Sequence, residues 1–295
     1  SGENGSAVDL LVGDGGPVRT LAFVNERLLL SGGDDQNAVV WNANPDWQLV
    51  AQLGAAKDKP LDTSASPFEF RVLSLAFSPD GTQLATGGGD PSRSGELLIW
   101  DVAKREVIRE IEDAHSDTVF GLEFSRDGKQ IVSGAADKFV KIHDVATGEH
   151  IKSFEGHTHH VMDVSWKADN SQLVSAGADD AIKVWNVTTG EQIRTIANYS
   201  KQVTAIQFMG VSGNVVSCGG DKTVRFHTAA NGSNFRNFAG GTDYMYTADA
   251  SRDQTVVVAG GEDGVIRVWN GTNGQVIKNF EPPVAAETAQ AAANK

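Results

Sequence analysis

Three side chains near the middle of the sequence, His157, Ser175 and Asp179, are the residue types of a nucleophilic triad: a hydroxyl to attack, an imidazole to take its proton, a carboxylate to orient the ring. The same three types stand 42 residues earlier as His115, Ser133 and Asp137. Duplication at a fixed offset is what a structural repeat produces, without any reaction. No catalytic residues are assigned, and no enzyme is expected. The run Gly156-His157-Thr158-His159-His160 offers imidazoles for zinc or copper. One of them already belongs to the trio, and adjacent histidines seldom converge on one ion, so no metal site is expected.

Other chemistry-bearing residues are isolated. Asp34-Asp35 and Asp179-Asp180 lack the oxygen-ligand spacing of calcium loops. Gly87-Gly88-Gly89 and Gly219-Gly220 resemble phosphate loops in composition only, because no helix follows to present its N-terminus. Cys218 is the single cysteine, which excludes an intrachain disulfide, a paired-cysteine zinc site and C-x-x-C-H haem attachment. It lies in an apolar strand pattern and is read as a buried, inert thiol. No cofactor is expected in this chain.

The 295 residues carry 25 basic and 38 acidic side chains, a net charge of −13. A protein that neutralises phosphates needs the opposite sign, so nucleic acid and anionic membrane surfaces are disfavoured as partners. No apolar run approaches the roughly 18 to 20 residues of a membrane-spanning helix. The 32 glycines against 8 prolines favour recurrent tight turns, hence many short strands.

The elements that must position these residues repeat. The residue closing each third strand is Trp41, Trp100, His143, Trp185, His227 and Trp269, at intervals of 59, 43, 42, 42 and 42. Within one unit, alternation and turn residues place strands at 119–124, 130–135, 139–143 and 150–154, with turns at Ser125-Arg126-Asp127-Gly128, at 136–138 and at 144–148. A lone four-stranded sheet leaves both faces bare, so such units need neighbours.

This period, with Trp100-Asp101, His143-Asp144, Trp185-Asn186 and Trp269-Asn270, resembles the WD-repeat family over about Ala7 to Phe280. The resemblance implies an all-β fold, a β-propeller of four-stranded antiparallel blades with six repeats visible: six blades, or seven if completed by other sequence. It also implies a structural tetrad of histidine, serine or threonine, aspartate and tryptophan in each blade. The fourth unit carries His157, Ser175, Asp179 and Trp185; the third carries His115, Ser133 and Asp137, with His143 in place of tryptophan. The set thins to Ser31, Asp35 and Trp41 in the first unit, Ser217 and Asp221 in the fifth, and Asp263 with Trp269 in the sixth.

The long first interval holds two insertions, Ala55 to Pro67 and Gly89 to Ser94, read as a loop and a lengthened turn on the same face. Residues 1–281 are read as one propeller domain and 282–295 as a flexible C-terminal tail. Ala7 to Leu11 falls where the outer strand of a preceding blade belongs, yet residues 275–280 already resemble the sixth blade's own outer strand. On the face bearing the insertions, Arg71, Arg93, Asp117, His159, His160, Lys201 and Tyr244 are candidate contacts to a protein partner or adjacent domain. A small-ligand or enzymatic site in the central channel is the alternative function.

A narrower resemblance runs from Arg71 through Pro283, including Gly88 to Glu96, Ala114 to Val119 and Glu155 to His160, and looks like the propeller region of planctomycete-type proteins with a c-type cytochrome domain. It implies a bacterial, extracytoplasmic or periplasmic setting and a c-type cytochrome domain as neighbour, although the haem motif itself is absent from this sequence.

Overall fold

The computed structural model describes residues 18–25, 28–33, 36, 38–42, 48–54, 59, 68 and 70–281. They form six four-stranded antiparallel sheets, each with its strands in chain order. The first blade holds β1 (Val18–Asn25), β2 (Leu28–Gly33), β3 (Ala38–Asn42) and β4 (Gln48–Gln52). The second holds β5 (Arg71–Phe77), β6 (Gln83–Asp90), β7 (Ser94–Asp101) and β8 (Glu106–Glu110). The third holds β9 (Val119–Phe124), β10 (Gln130–Ala135), β11 (Val140–Asp144) and β12 (His150–Phe154). The fourth holds β13 (Val161–Trp166), β14 (Gln172–Gly177), β15 (Ile182–Asn186) and β16 (Gln192–Ile196). The fifth holds β17 (Val203–Phe208), β18 (Asn214–Gly219), β19 (Val224–Thr228) and β20 (Asn234–Phe238). The sixth holds β21 (Met245–Ala250), β22 (Val256–Gly261), β23 (Ile266–Asn270) and β24 (Val276–Phe280).

Local chemistry sets the turns. After β9, Ser125 Oγ donates to Asp127 and accepts from Gln130 N, while Gly128 takes φ 70°, a left-handed conformation that favours glycine. The core lies between blades rather than within them. Val132, Val140 and Ile142 of the third blade meet Val161, Val164 and Leu173 of the fourth, and the pattern repeats from blade to blade. Trp100, Trp166, Trp185 and Trp269 are fully buried there. Each such side chain stabilises by about 1.5 to 3 kcal/mol or more.

Polar stitches reinforce that packing. The inner strand of a blade has one unpaired edge, and side chains of the preceding blade occupy it. Glu123 on β9 accepts from Trp166 N at 2.6 Å, Asp163 on β13 from Ile206 N at 2.8 Å, and Ser165 Oγ from Phe208 N at 3.0 Å. At the rim, a basic side chain of β8, β12 and β16 reaches carbonyls in the next blade's last turn. Arg109 donates to Ala146 O, Lys152 to Val187 O and Thr188 O, and Arg194 to Ala230 O.

Two sequence expectations need correction. The 89–94 insertion does not widen a turn: the β6–β7 ladder runs without interruption to Asp90 opposite Ser94, so the added residues lengthen the hairpin. It leans on the third blade, where Gly95 N donates to His115 O and Ser92 N to Asp117. The third strand of the third blade begins at Val140 rather than Phe139. In agreement with the sequence reading of residues 275–280, β24 is the sixth blade's own outer strand. Ala7 to Leu11, the tail 282–295 and, Lys59 apart, Ala55 to Pro67 lie outside the described residues.

Candidate functional site

The most enzyme-like residues are held in a chain of hydrogen bonds. His157 Nδ1 donates to Asp179 at 2.9 Å, Ser175 Oγ donates to His157 Nε2 at 2.7 Å, and Trp185 Nε1 donates to Ser175 Oγ at 2.8 Å. Burial pushes the Asp179 carboxyl up, but hydrogen bonds from His157 and Thr158 N outweigh it and hold it below the usual range. The connectivity is that of a nucleophilic triad. Ser175 nevertheless has no exposed surface, and its oxygen is already occupied by the indole, so no substrate carbonyl can approach it. The arrangement fixes turn and strand geometry instead.

The other blades vary the theme. In the third, His115 bridges Asp137 at 2.9 Å and Ser133 at 2.8 Å, and burial lowers its pKa. His143 occupies the tryptophan's place but does not complete the tetrad: its buried Nδ1 finds no partner among the described residues. Burial drives its pKa down to about 4. In the fifth blade Tyr199 takes the histidine's place, its hydroxyl 2.8 Å from Ser217 Oγ, while Asp221 pairs with Arg225 at 2.8 Å. The Arg225 guanidinium lies 4.0 Å above the Tyr199 ring. In the sixth, Trp269 Nε1 donates to Ala239 O and Asp263 pairs with Arg267, so those two residues do not meet. Ser31 of the first blade is buried, and Asp35 lies outside the described residues. Tyr199 sits one 42-residue period after His157, a spacing that points to it although its residue type does not. Thr86, which accepts from Trp100 Nε1 at 3.1 Å, is the second blade's counterpart of Ser175.

The candidate surface for a partner is the mouth of the central channel, on the face where the inner strands begin. A cavity of about 1170 Å³ opens there, and each inner strand contributes to it: Thr20, Arg71, Phe120, Met162, Thr204 and Tyr246. Of the loop candidates, Arg71 and Tyr244 line this cavity. His160 stacks on Phe120 with ring centroids 5.9 Å apart and touches His159 at 4.3 Å, so both histidines flank the same mouth. Burial, then the neighbouring His159, lowers the His160 pKa. Lys201 is exposed nearby in sequence to Gln202, which donates to the Tyr244 hydroxyl. Arg93 and Asp117 are engaged elsewhere, Arg93 with Asp90 at 3.1 Å and Asp117 with Ser92 N. Apart from its tyrosines, the cavity is lined by only two ionisable side chains among the described residues, Arg71 and Glu262. Among those residues no three His, Cys, Asp or Glu side chains converge as metal ligands. Cys218 is fully buried, and burial pushes its thiol up to about 12.

Comparison with known proteins agrees with this architecture. The model of the WD domain, G-beta repeat, matches residues 61–101, 106–144, 148–186, 190–228 and 232–270. The chain is similar to the periodic tryptophan protein 2 homolog of Schizosaccharomyces pombe, 27% identical over 173 residues, covering 52% of this chain and 18% of that protein. It is also similar to the chromatin assembly factor 1 subunit FAS2 homolog of Oryza sativa subsp. japonica, 29% identical over 153 residues, 49% of this chain and 28% of that protein. The chain thus spans well under two thirds of these relatives. Among solved structures, the WD40 beta propeller domain of Doa1 superposes with a TM-score of 0.75 at 19% identity, covering 90% of this chain and 83% of that one. Five consecutive repeat matches spanning more than half of the sequence, on six blades of the same kind, establish that the chain belongs to the WD domain, G-beta repeat family.

Proposed function

We propose that this chain is a non-enzymatic protein-interaction scaffold that holds its partner at the channel mouth. The observation that carries the reading is the rim itself. Six inner strands contribute side chains to one concave surface, with Phe120, Met162, Tyr246 and Arg71 among them. That composition favours protein contacts, where aromatic and arginine anchors dominate binding energy. The repeat-family membership and a relative named as a subunit of a chromatin assembly factor support the same reading. A catalytic channel would need titratable groups converging on a reacting atom, whereas among the described residues Arg71 and Glu262 are the mouth's ionisable side chains besides tyrosine.

The extracytoplasmic setting and an adjacent c-type cytochrome domain rest only on the narrower resemblance of the run from Arg71 through Pro283. The two curated relatives described above are eukaryotic and lend that context no support.

The test uses Arg71→Glu combined with His160→Ala. Tyr244 is avoided because its ring packs within 2.6 Å of where a Cβ on Gly220 would stand, so its removal would disturb packing as well as binding. Immobilised wild-type chain is expected to retain a specific protein from a native extract. The double variant should retain it at least about tenfold less, with its Tm nearly unchanged. Undiminished retention by the variant would overturn the assigned surface.

A further inference from the structure

Two histidines stand together at the channel mouth, in the link between β12 and β13, with ring centroids 4.3 Å apart. His159 is exposed, and His160 is half-buried with its ring stacked on Phe120 of β9, the planes inclined by 26°. The repeat puts Asp117-Thr118, Lys201-Gln202 and Asp243-Tyr244 at the same two positions of the third, fifth and sixth blades. The pair is therefore not a demand of the fold.

Backbone geometry decides what His159 offers. Its Nδ1 accepts the His160 N–H at 2.9 Å, so the neutral ring carries its hydrogen on Nε2. That N–H is a donor with no partner among the described residues, and the His160 ring nitrogens are likewise not hydrogen-bonded there. A third donor comes from the neighbouring blade. Lys138, in the turn between β10 and β11, is exposed, and its ammonium has no carboxylate partner among the described residues. Burial, then His159, lowers the His160 pKa; Lys138 acts in the same direction and Asp117 against it.

The acids around this corner are largely committed. Asp117 Oδ1 accepts Ser92 N at 2.8 Å and Thr118 N at 2.7 Å. The turn whose Ala178 N donates to His160 O holds Asp179 and Asp180. Asp179 is taken by His157 and Thr158 N, and no hydrogen bond joins Asp180 to the histidines. Donors thus outnumber the acceptors the chain supplies, beside an apolar wall of Leu73, Phe120 and Met162.

We infer that the partner segment seated at the mouth carries an aspartate or glutamate whose carboxylate docks on His159, His160 and Lys138, next to an apolar side chain set against Phe120. This rests on the mouth being the partner surface. A carboxylate suits the donor set: two neutral imidazoles and one ammonium match a single negative charge, whereas a phosphoryl group brings about two. The apolar neighbour follows from the stacking, because a group bonded to His160 stands beside the Phe120 ring.

The probe is a phage-displayed library of short random peptides, selected on the immobilised full chain and sorted by loss of binding to Arg71→Glu, which marks binders at the mouth. Mouth binders are expected to share an acidic residue beside an apolar one. Synthetic peptides should bind at least about fivefold more weakly when that residue is changed from Glu to Gln or from Asp to Asn. Against His159→Gln/His160→Gln the acidic and amide peptides should bind about equally, because the donors that tell them apart are gone. Lys138→Gln, an exposed change that leaves the histidines and Phe120 in place, should cut the discrimination at least about twofold. Mouth binders with no acidic preference, or a discrimination that survives in both variants, overturn the inference and leave the mouth as the partner surface. A phosphoserine peptide that binds at least about tenfold tighter than its glutamate counterpart overturns the carboxylate assignment. A selection without any binder sensitive to Arg71→Glu overturns the inference together with the reading of the mouth on which it rests.

Discussion

Ser175 Oγ is held between two rings, accepting from Trp185 and donating to His157, and is thereby withdrawn from reaction. Where the indole is replaced, the buried ring is an imidazole that must stay neutral. His143 and His227 are both pushed down to about 4, burial being the first cause, from an ordinary 6.5. The unfolded chain takes up these protons near pH 6.5 and the folded chain only near pH 4. Their contribution to stability is therefore fully present above pH 6.5 and is lost as pH falls toward 4. Asp163 has the opposite sign. Burial raises its carboxyl to about 7 from 3.8, so its contribution is greatest below 3.8 and is lost as pH rises to 7. The two slopes oppose each other in the wild type, which makes a difference measurement necessary. The urea midpoint of wild type minus that of His143→Gln/His227→Gln should fall steadily below pH 6.5. A difference independent of pH would mean that these rings are not held neutral.

In the third to sixth blades, the ring that closes the third strand is matched to the residue preceding the tetrad histidine position. Gly156 accompanies Trp185 and Gly240 accompanies Trp269, whereas Ala114 accompanies His143 and Asn198 accompanies His227. The cause is space. A Cβ on Gly156 would stand 3.0 Å from the Trp185 ring, tighter than ordinary van der Waals contact. His143→Trp alone should therefore crowd Ala114 and destabilise by about 1 to 3 kcal/mol. Adding Ala114→Gly should recover at least about 1 kcal/mol, because the indole then fits and can donate to Ser133. Strict additivity in a double-mutant cycle, read by urea unfolding, would refute the match. This coupling also marks what the sequence made legible. The 42-residue period, the strand alternation and the complete tetrad around His157 depend on neighbours within one unit, so they can be read along the chain. The roles of Glu123 and Asp163 could not, since each carboxylate bonds a backbone N–H of the next blade 43 residues away. The long β6–β7 hairpin was hidden for a similar reason, because Gly89 to Ser94 has turn composition while its strands are fixed by contacts with the third blade. The channel mouth gathers single residues from six strands, which no local motif marks.

Across the whole molecule, each blade packs on its sequence neighbours, so stability is approximately a sum of blade and interface contributions. The fourth blade is covered on both faces, with Val174, Ile182 and Trp185 at most 1% exposed. The sixth is covered on one, and Val258, Ile266 and Tyr246 are exposed on the other. Opening the sixth blade therefore breaks one interface, while opening the fourth breaks two. Native-state hydrogen exchange should grade accordingly, since local openings draw on the least buried units first. Amides of β22 and β23 are expected to exchange at least about tenfold faster than those of β14 and β15 at the same pH, as read by mass spectrometry of blade-specific peptides. Equal protection would show that all six blades open only by global unfolding. The bare face would then impose no local weakness, and interface number would not govern how this array opens.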